Sequence, residues 1–284
     1  MIRPARLVTV LTIALSFTAC KKEISVENSG INGGVTSPPL GGNCRVEKIA
    51  SIDSTSGIGL SSLSTQFGTN DLATKTELFD SLSNSLTYAA NFTYASDTIR
   101  INDREYFVVD PSVRIKEFNT LGDPADPNSG KLVFKYYYDA GGFLIKKEIF
   151  QEAIPVPITV NYTWANGNLT AIDANVAGQV KILTGELEYY TDKNANNGGE
   201  IILEAYELSP YILALNVGTK CKNLPKKVVM KLYDSTGNIS HTYTTAFSNY
   251  KFTADGYVNE LYASGDNIDG IQLYGLTEFS YSCK

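Results

Sequence analysis

An all-β fold is what this 284-residue sequence predicts: an antiparallel meander of about ten to twelve strands with little helix, as an open sheet or partly closed barrel. Three observations carry the prediction. Apolar and polar residues alternate with a period of two over many short runs, the signature of half-buried strands. The runs are separated by Asn-Gly and Asp-x-x-Gly turns, whose residues tolerate the positive φ of tight hairpins. Tyr (18) and Phe (12) are plentiful while charged residues make up only 19 %, a balance that suits pleated, packed surfaces.

The chain divides into three parts. Residues 1–19 read as a lipoprotein signal peptide, with Arg3 and Arg6 as a basic n-region and Leu7 to Phe17 as the apolar stretch. That stretch is too short to span a bilayer, which needs about 20 apolar residues. It ends in Phe17-Thr18-Ala19-Cys20, which resembles a bacterial lipobox and makes Cys20 the lipidation site. Several acyl chains on one Cys anchor a protein stably. Lys21 follows rather than Asp, which by resemblance to other lipoproteins points to the outer membrane, at its periplasmic face or at the cell surface. Residues 20–43 carry Ser29-Gly30, Gly33-Gly34, Ser37-Pro38-Pro39 and Gly41-Gly42, a flexible tether with an end-to-end distance of roughly 25 Å.

Residues 44–284 form a single β-rich domain. Ile158, Val160, Tyr162 and Trp164 share one face of a strand that turns at Asn166-Gly167 into a second starting at Leu169. Leu132 to Tyr138 and Phe143 to Phe150 flank Asp139-Ala140-Gly141-Gly142. Val228, Met230 and Leu232 precede Asp234-Ser235-Thr236-Gly237, and Tyr250 and Phe252 precede Ala254-Asp255-Gly256. Glu186 to Tyr190 and Ile201 to Ala205 flank a polar loop, Asp192 to Gly199, and Asn91 to Tyr94 and Thr98 to Ile101 flank another. The last strand places Ile271, Leu273, Phe279, Tyr281 and Cys283 inward. Leu72 to Leu86 has helical spacing at Leu78, Phe79, Leu82 and Leu86, but its Ser and Thr content favours a strand and turn. Ser209 to Gly218, where Pro210-Tyr211 opens an apolar run, reads as one helical turn or a crossing segment.

The hairpins of form aromatic-Asp-x-x-Gly-x-aliphatic, Tyr138-Asp139 to Leu144 and Tyr233-Asp234 to Ile239, resemble YD-type repeats. Together with Cys44-x-Val-x-Lys-Ile49, Lys222-Asn223-Leu224-Pro225 and terminal Tyr281-Ser282-Cys283, they resemble a Bacteroidota envelope lipoprotein family known only as a domain of unknown function. The resemblance implies a β-sheet lipoprotein and no activity, and Cys221 stands where that family would have Ser.

Charge narrows the function classes. Without Arg3 and Arg6 the mature chain has 22 basic against 30 acidic residues, a formal −8. Such a surface releases no counterions from nucleic acid and is repelled by anionic headgroups, so nucleic-acid binding is disfavoured and the membrane link must be covalent.

Candidate chemistry is sparse, and no cofactor or metal is implied. Cys44, Cys221 and Cys283 remain once Cys20 is acylated. Cys44 and Cys283 form a possible disulfide if the first and last strands pair, and the alternative is buried thiols. No Cys-x-x-Cys pair supports zinc or redox chemistry. His241, the single histidine, lies among Ser240, Thr242 and Tyr243 without a nucleophile elbow, so it reads as a surface residue. Asp192, Asn194 and Asn196 are spaced as in a calcium loop, but Asn197 replaces the required Gly and Leu203 the required Glu. Tyr136-Tyr137-Tyr138, Tyr189-Tyr190 and Trp164 could stack on sugar rings, though alternation sends at least half of such aromatics into the core. Four Asp-Ser/Thr-x tripeptides, at Asp53, Asp80, Asp97 and Asp234, resemble the acceptor of Bacteroidota envelope O-glycosylation and also suit turns. The expectation is a non-catalytic envelope lipoprotein that binds a glycan, lipid or envelope protein or serves structurally. The alternatives are a polysaccharide-acting hydrolase or accessory glycan binder, and a carrier of a small apolar ligand.

Overall fold

A computed structural model describes residues 44–53, 55–69, 72–102, 104–121, 130–152, 154–195, 211, 218–266 and 275–283. Its 17 strands belong to one antiparallel sheet. The strand count corrects the ten to twelve that the alternation predicts. Ser-rich β2 (Gly59–Phe67) is too polar to show the period, and the run read from Asn91 to Tyr94 splits at Phe92 before β5 (Thr93–Tyr94), which precedes β6 (Thr98–Arg100).

Each strand pairs with the next along the chain, from β1 (Cys44–Ile52), β2 and β3 (Ala73–Asp80) to β4 (Ser85–Asn91). Leu72 to Leu86 is therefore strand and turn, because Leu63 and Leu78 face one another across β2 and β3. The meander continues from β5 and β6 through β7 (Glu105–Val109), β8 (Ile115–Thr120), β9 (Leu132–Tyr138) and β10 (Leu144–Gln151). It runs on through β11 (Ile154–Ala165), β12 (Asn168–Val176) and β13 (Val180–Asn194). The last four are β14 (Asn223–Tyr233), β15 (Ile239–Phe252), β16 (Val258–Gly265) and β17 (Gly275–Cys283). Finally β17 pairs with β1, with Cys44 opposite Cys283 and Ile49 opposite Phe279, and the sheet becomes a nearly closed barrel.

One seam interrupts the ring. Only Phe92 separates β4 from β5, yet β4 is laddered to β3 and β5 to β6. Among the described residues, no ladder joins the other edge of β4 to the next strand.

Alternation sorts the side chains. Phe134 and Tyr136 of β9, Ile158, Val160 and Tyr162 of β11, and Val228, Met230 and Leu232 of β14 are buried inward. Hairpin chemistry is as expected. Asn166 and Gly167 both take positive φ (53° and 77°), as a two-residue type I′ turn requires. Pro225 sits within β14 at a register shift opposite Tyr189, a place where a missing N–H is tolerated.

Gly265 closes β16 at φ +109°, and a Cβ there would lie 2.2 Å from the Thr244 carbonyl oxygen. Gly265→Ala is expected to lower stability by about 2–3 kcal/mol, through strain in a conformation open only to Gly plus that collision. A shift of the urea midpoint at unchanged m-value would measure it.

Candidate functional site

The barrel offers two surfaces that bear on function, its interior and its outer wall. Inside, Phe107 stacks on Phe118 with ring centroids 4.5 Å apart, and Phe118 stacks on Phe134 at 5.6 Å. Into this stack comes Tyr211, from the connection between β13 and β14. It meets Tyr88, Phe92, Phe107 and Phe118 edge-on at 5.7–6.2 Å, the geometry aromatic quadrupoles prefer.

The Tyr211 hydroxyl joins strands from the two sides of the seam. It hydrogen-bonds the Tyr88 hydroxyl on β4 and donates to Glu105 Oε2 at the start of β7 at 2.8 Å. Asn102 Nδ2 donates to the same oxygen at 2.9 Å. Burial, reinforced by the Glu105 carboxylate, pushes the Tyr88 hydroxyl up to about 12 and raises Tyr211 further. Burial also raises Tyr138, Tyr189 and Tyr250. These phenols stay protonated at neutral pH and act as donors, not as bases or nucleophiles. Tyr138 donates to the Ile115 carbonyl at 2.8 Å and Tyr250 to that of Pro225 at 2.7 Å.

Thr219 and Lys222, just before β14, lie over the turns of β9–β10 and β11–β12. Thr219 N–H donates to the Gly142 carbonyl at 2.8 Å, and Lys222 N–H donates to that of Gly167 at 2.8 Å. Gly218, at φ +101°, rests against the Tyr138 ring so closely that an added Cβ would lie 2.7 Å from it.

The outer wall is charged. Ion pairs join Lys146 to Glu148 at 3.0 Å, Lys231 to Glu186 at 3.2 Å, Lys181 to Asp173 at 3.1 Å and Lys251 to Glu260 at 2.6 Å. Lys75 pairs with Glu77 at 2.6 Å on the wall of β3. Exposed pairs of this kind add little to stability.

The sequence-predicted positions fare differently. Cys20 lies outside the described residues. Cys44 is disulfide-bonded, and Cys221 is buried with its Sγ 3.3 Å from the Tyr189 hydroxyl. His241 is exposed near the start of β15, its ring 6.0 Å from Tyr243. Asp192 and Asn194 belong to β13 rather than to a polar hairpin loop, because that strand runs on until Asn194 meets Asn223. Asn196, Asn197, Ile201 to Ala205, Ile271 and Leu273 lie outside the described residues. Tyr136 is buried, Tyr138 packs on the core and Tyr137 is on the wall, where its hydroxyl donates to Glu148 at 2.6 Å. Among the described residues no cluster of three or more His, Cys, Asp or Glu could hold a metal ion.

Sequence reasoning missed the Tyr88–Tyr211–Glu105 bridge, which joins residues more than a hundred positions apart. It also missed Lys147, fully buried on the inner face of β10. A register shift between Leu144 and Lys146 changes the phase of β10, so Leu144 and Lys147 both point inward.

Comparison with known proteins fits this geometry. A porin-like protein from Bacteroides uniformis superposes with a TM-score of 0.56 at 12 % identity, over 84 % of this chain and 98 % of that one. A porin-like protein from Bacteroides vulgatus gives 0.51 at 12 % identity, over 84 % and 99 %. The shared property is the fold. No protein-family model and no curated protein matches the chain.

Proposed function

We propose that this chain is a non-catalytic cell-envelope lipoprotein: acyl chains on Cys20 hold it at the outer membrane, and a barrel standing in water makes binding or structural contacts. The observation that carries the reading is the wall. A membrane-spanning barrel shows lipid an apolar band between aromatic girdles and keeps its polar residues inside. Here lysine–carboxylate pairs lie outside on β3, β10, β12–β13 and β13–β16, a stacked aromatic core lies inside, and the wall aromatic Tyr137 sits under Lys146. Lys and Arg on the lipid face at the bilayer midplane cost about 2–4 kcal/mol each. The attachment therefore comes from the tether.

The porin-like Bacteroides neighbours and the Asp-x-x-Gly hairpins support membership of the Bacteroidota envelope family that the sequence resembles. The Tyr211 wedge counts against a carrier, since it occupies space an apolar ligand would need. A glycoside hydrolase needs two carboxyls converging on one bond, whereas the wall carboxylates are paired with lysines. Acylation of Cys20 leaves three cysteines and so at most one bridge within the chain; Cys44, opposite Cys283 across the closing ladder, is proposed to pair with it.

Planar bilayers test the reading. Purified mature protein is expected to add no conductance steps under conditions in which a porin does. Stable ohmic steps that vanish with the protein would overturn it.

A further inference from the structure

The two ends of the barrel differ. In an antiparallel meander alternate turns fall at opposite ends, so the β17–β1 ladder puts Cys44 and Cys283 at one end and the β1–β2 turn at the other. The tether leaves from the first end, where Ala95-Ser96-Asp97, Asn166-Gly167 and Ala254-Asp255-Gly256 form small polar tips and Ile145 and Phe252 are exposed apolar residues.

The far end carries more of them. At or beside its turns and strand ends stand Ile58, Leu82, Leu121, Val156, Val180 and Ile239, between 37 % and 70 % exposed. Surface apolar residues scattered singly need no explanation, but a ring of them at one end does. Interleaved with them are carboxylates that cap their own turns. Asp53 accepts from the Thr55 and Ser56 N–H groups, Asp80 from that of Leu82 at 2.9 Å, and Asp234 from those of Thr236 and Asn238. These hydrogen bonds hold all three below the usual carboxylate range, so they stay ionised.

We infer that this far rim is the docking surface for a protein partner that presents apolar side chains bordered by lysines and arginines. The inference deepens the proposed function and rests on it in one respect, that the tethered end is the membrane side. An anionic lipid surface would be repelled by the three carboxylates. A second copy docked rim to rim would set like charges against one another. A basic, apolar protein surface meets both features.

The test places a photocrosslinking residue at Leu82, at Ile239 or, for comparison, at Phe252 on the tethered end of the full chain in its own host. The two rim positions are expected to give one discrete adduct, identified by mass spectrometry as a protein whose cross-linked face carries Lys and Arg. Phe252 is expected to give none. Asp53→Asn/Asp80→Asn/Asp234→Asn keeps an oxygen to cap each turn but removes three charges, and the adduct is expected to fall by about tenfold. An adduct of twice the chain's own mass, a lipid adduct, the same adduct from Phe252, no adduct, or one indifferent to the Asn substitutions would overturn the inference. Dividing the same cells into membrane and soluble fractions reports on anchoring separately.

Discussion

Tyr211→Ala is expected to cost about 3–5 kcal/mol of folding stability, the range for deleting a large buried aromatic. The loss has two sources. The ring fills the space among Tyr88, Phe92, Phe107 and Phe118, and three of those four are fixed on laddered strands, so the void collapses only in part. The hydroxyl ties β4 to Glu105 of β7 across the seam, so its removal leaves two polar groups short of a partner and the free edge of β4 less restrained. Tyr211→Phe keeps the ring and is expected to cost only about 1–2 kcal/mol. Urea unfolding followed by the fluorescence of Trp164, the single tryptophan, separates the two. That indole donates to the Leu144 carbonyl at 2.8 Å and lies against Phe143, so it reports the packed state. Equal losses from the two variants would assign the effect to the hydroxyl and remove the wedge from the account.

Cys283→Ser is expected to cost about 4–5 kcal/mol, because a Cys44–Cys283 bridge would close a loop of roughly 240 residues. Directly opposed residues of an antiparallel ladder bring their Cα atoms to about 4.5–5.5 Å, within the reach of a disulfide. Here the bridge would join the first strand to the last and hold the ring shut where a ladder alone could fray. A non-reducing peptide map of the acylated protein is expected to recover the Cys44 and Cys283 peptides joined, whereas a Cys44–Cys221 pair would leave the ring without its staple. Separate Cys44 and Cys283 peptides, or a Cys283→Ser variant as stable as the parent under oxidising conditions, would refute the staple.

Local chemistry was readable and distant chemistry was not. Asn166-Gly167, Asp139 to Gly142 and Asp234 to Gly237 announce their hairpins because positive φ and an Asx cap are written in adjacent residues. The inward face of β11 follows from unbroken alternation between Ile158 and Trp164. Lys147 escaped because a single bulge inverts the phase of everything after it, and no short-range signal marks that bulge. Tyr211 escaped for another reason. Its partners lie on β4, β7 and β8, and only the closure of the sheet brings those strands around it. The rim of exposed apolar tips was equally hidden, since each tip looks ordinary alone and the pattern exists only once alternate turns are gathered at one end.

The account's central claim is that a water-facing barrel is attached to the envelope through its lipid alone. Fractionation of cells carrying Cys20→Ser measures this directly, with the wild-type chain alongside. The wild type should pellet with the outer membrane, and the variant should be recovered folded from the soluble fraction without detergent. A Cys20→Ser protein that still pellets and yields only to detergent would mean that the barrel wall itself meets lipid.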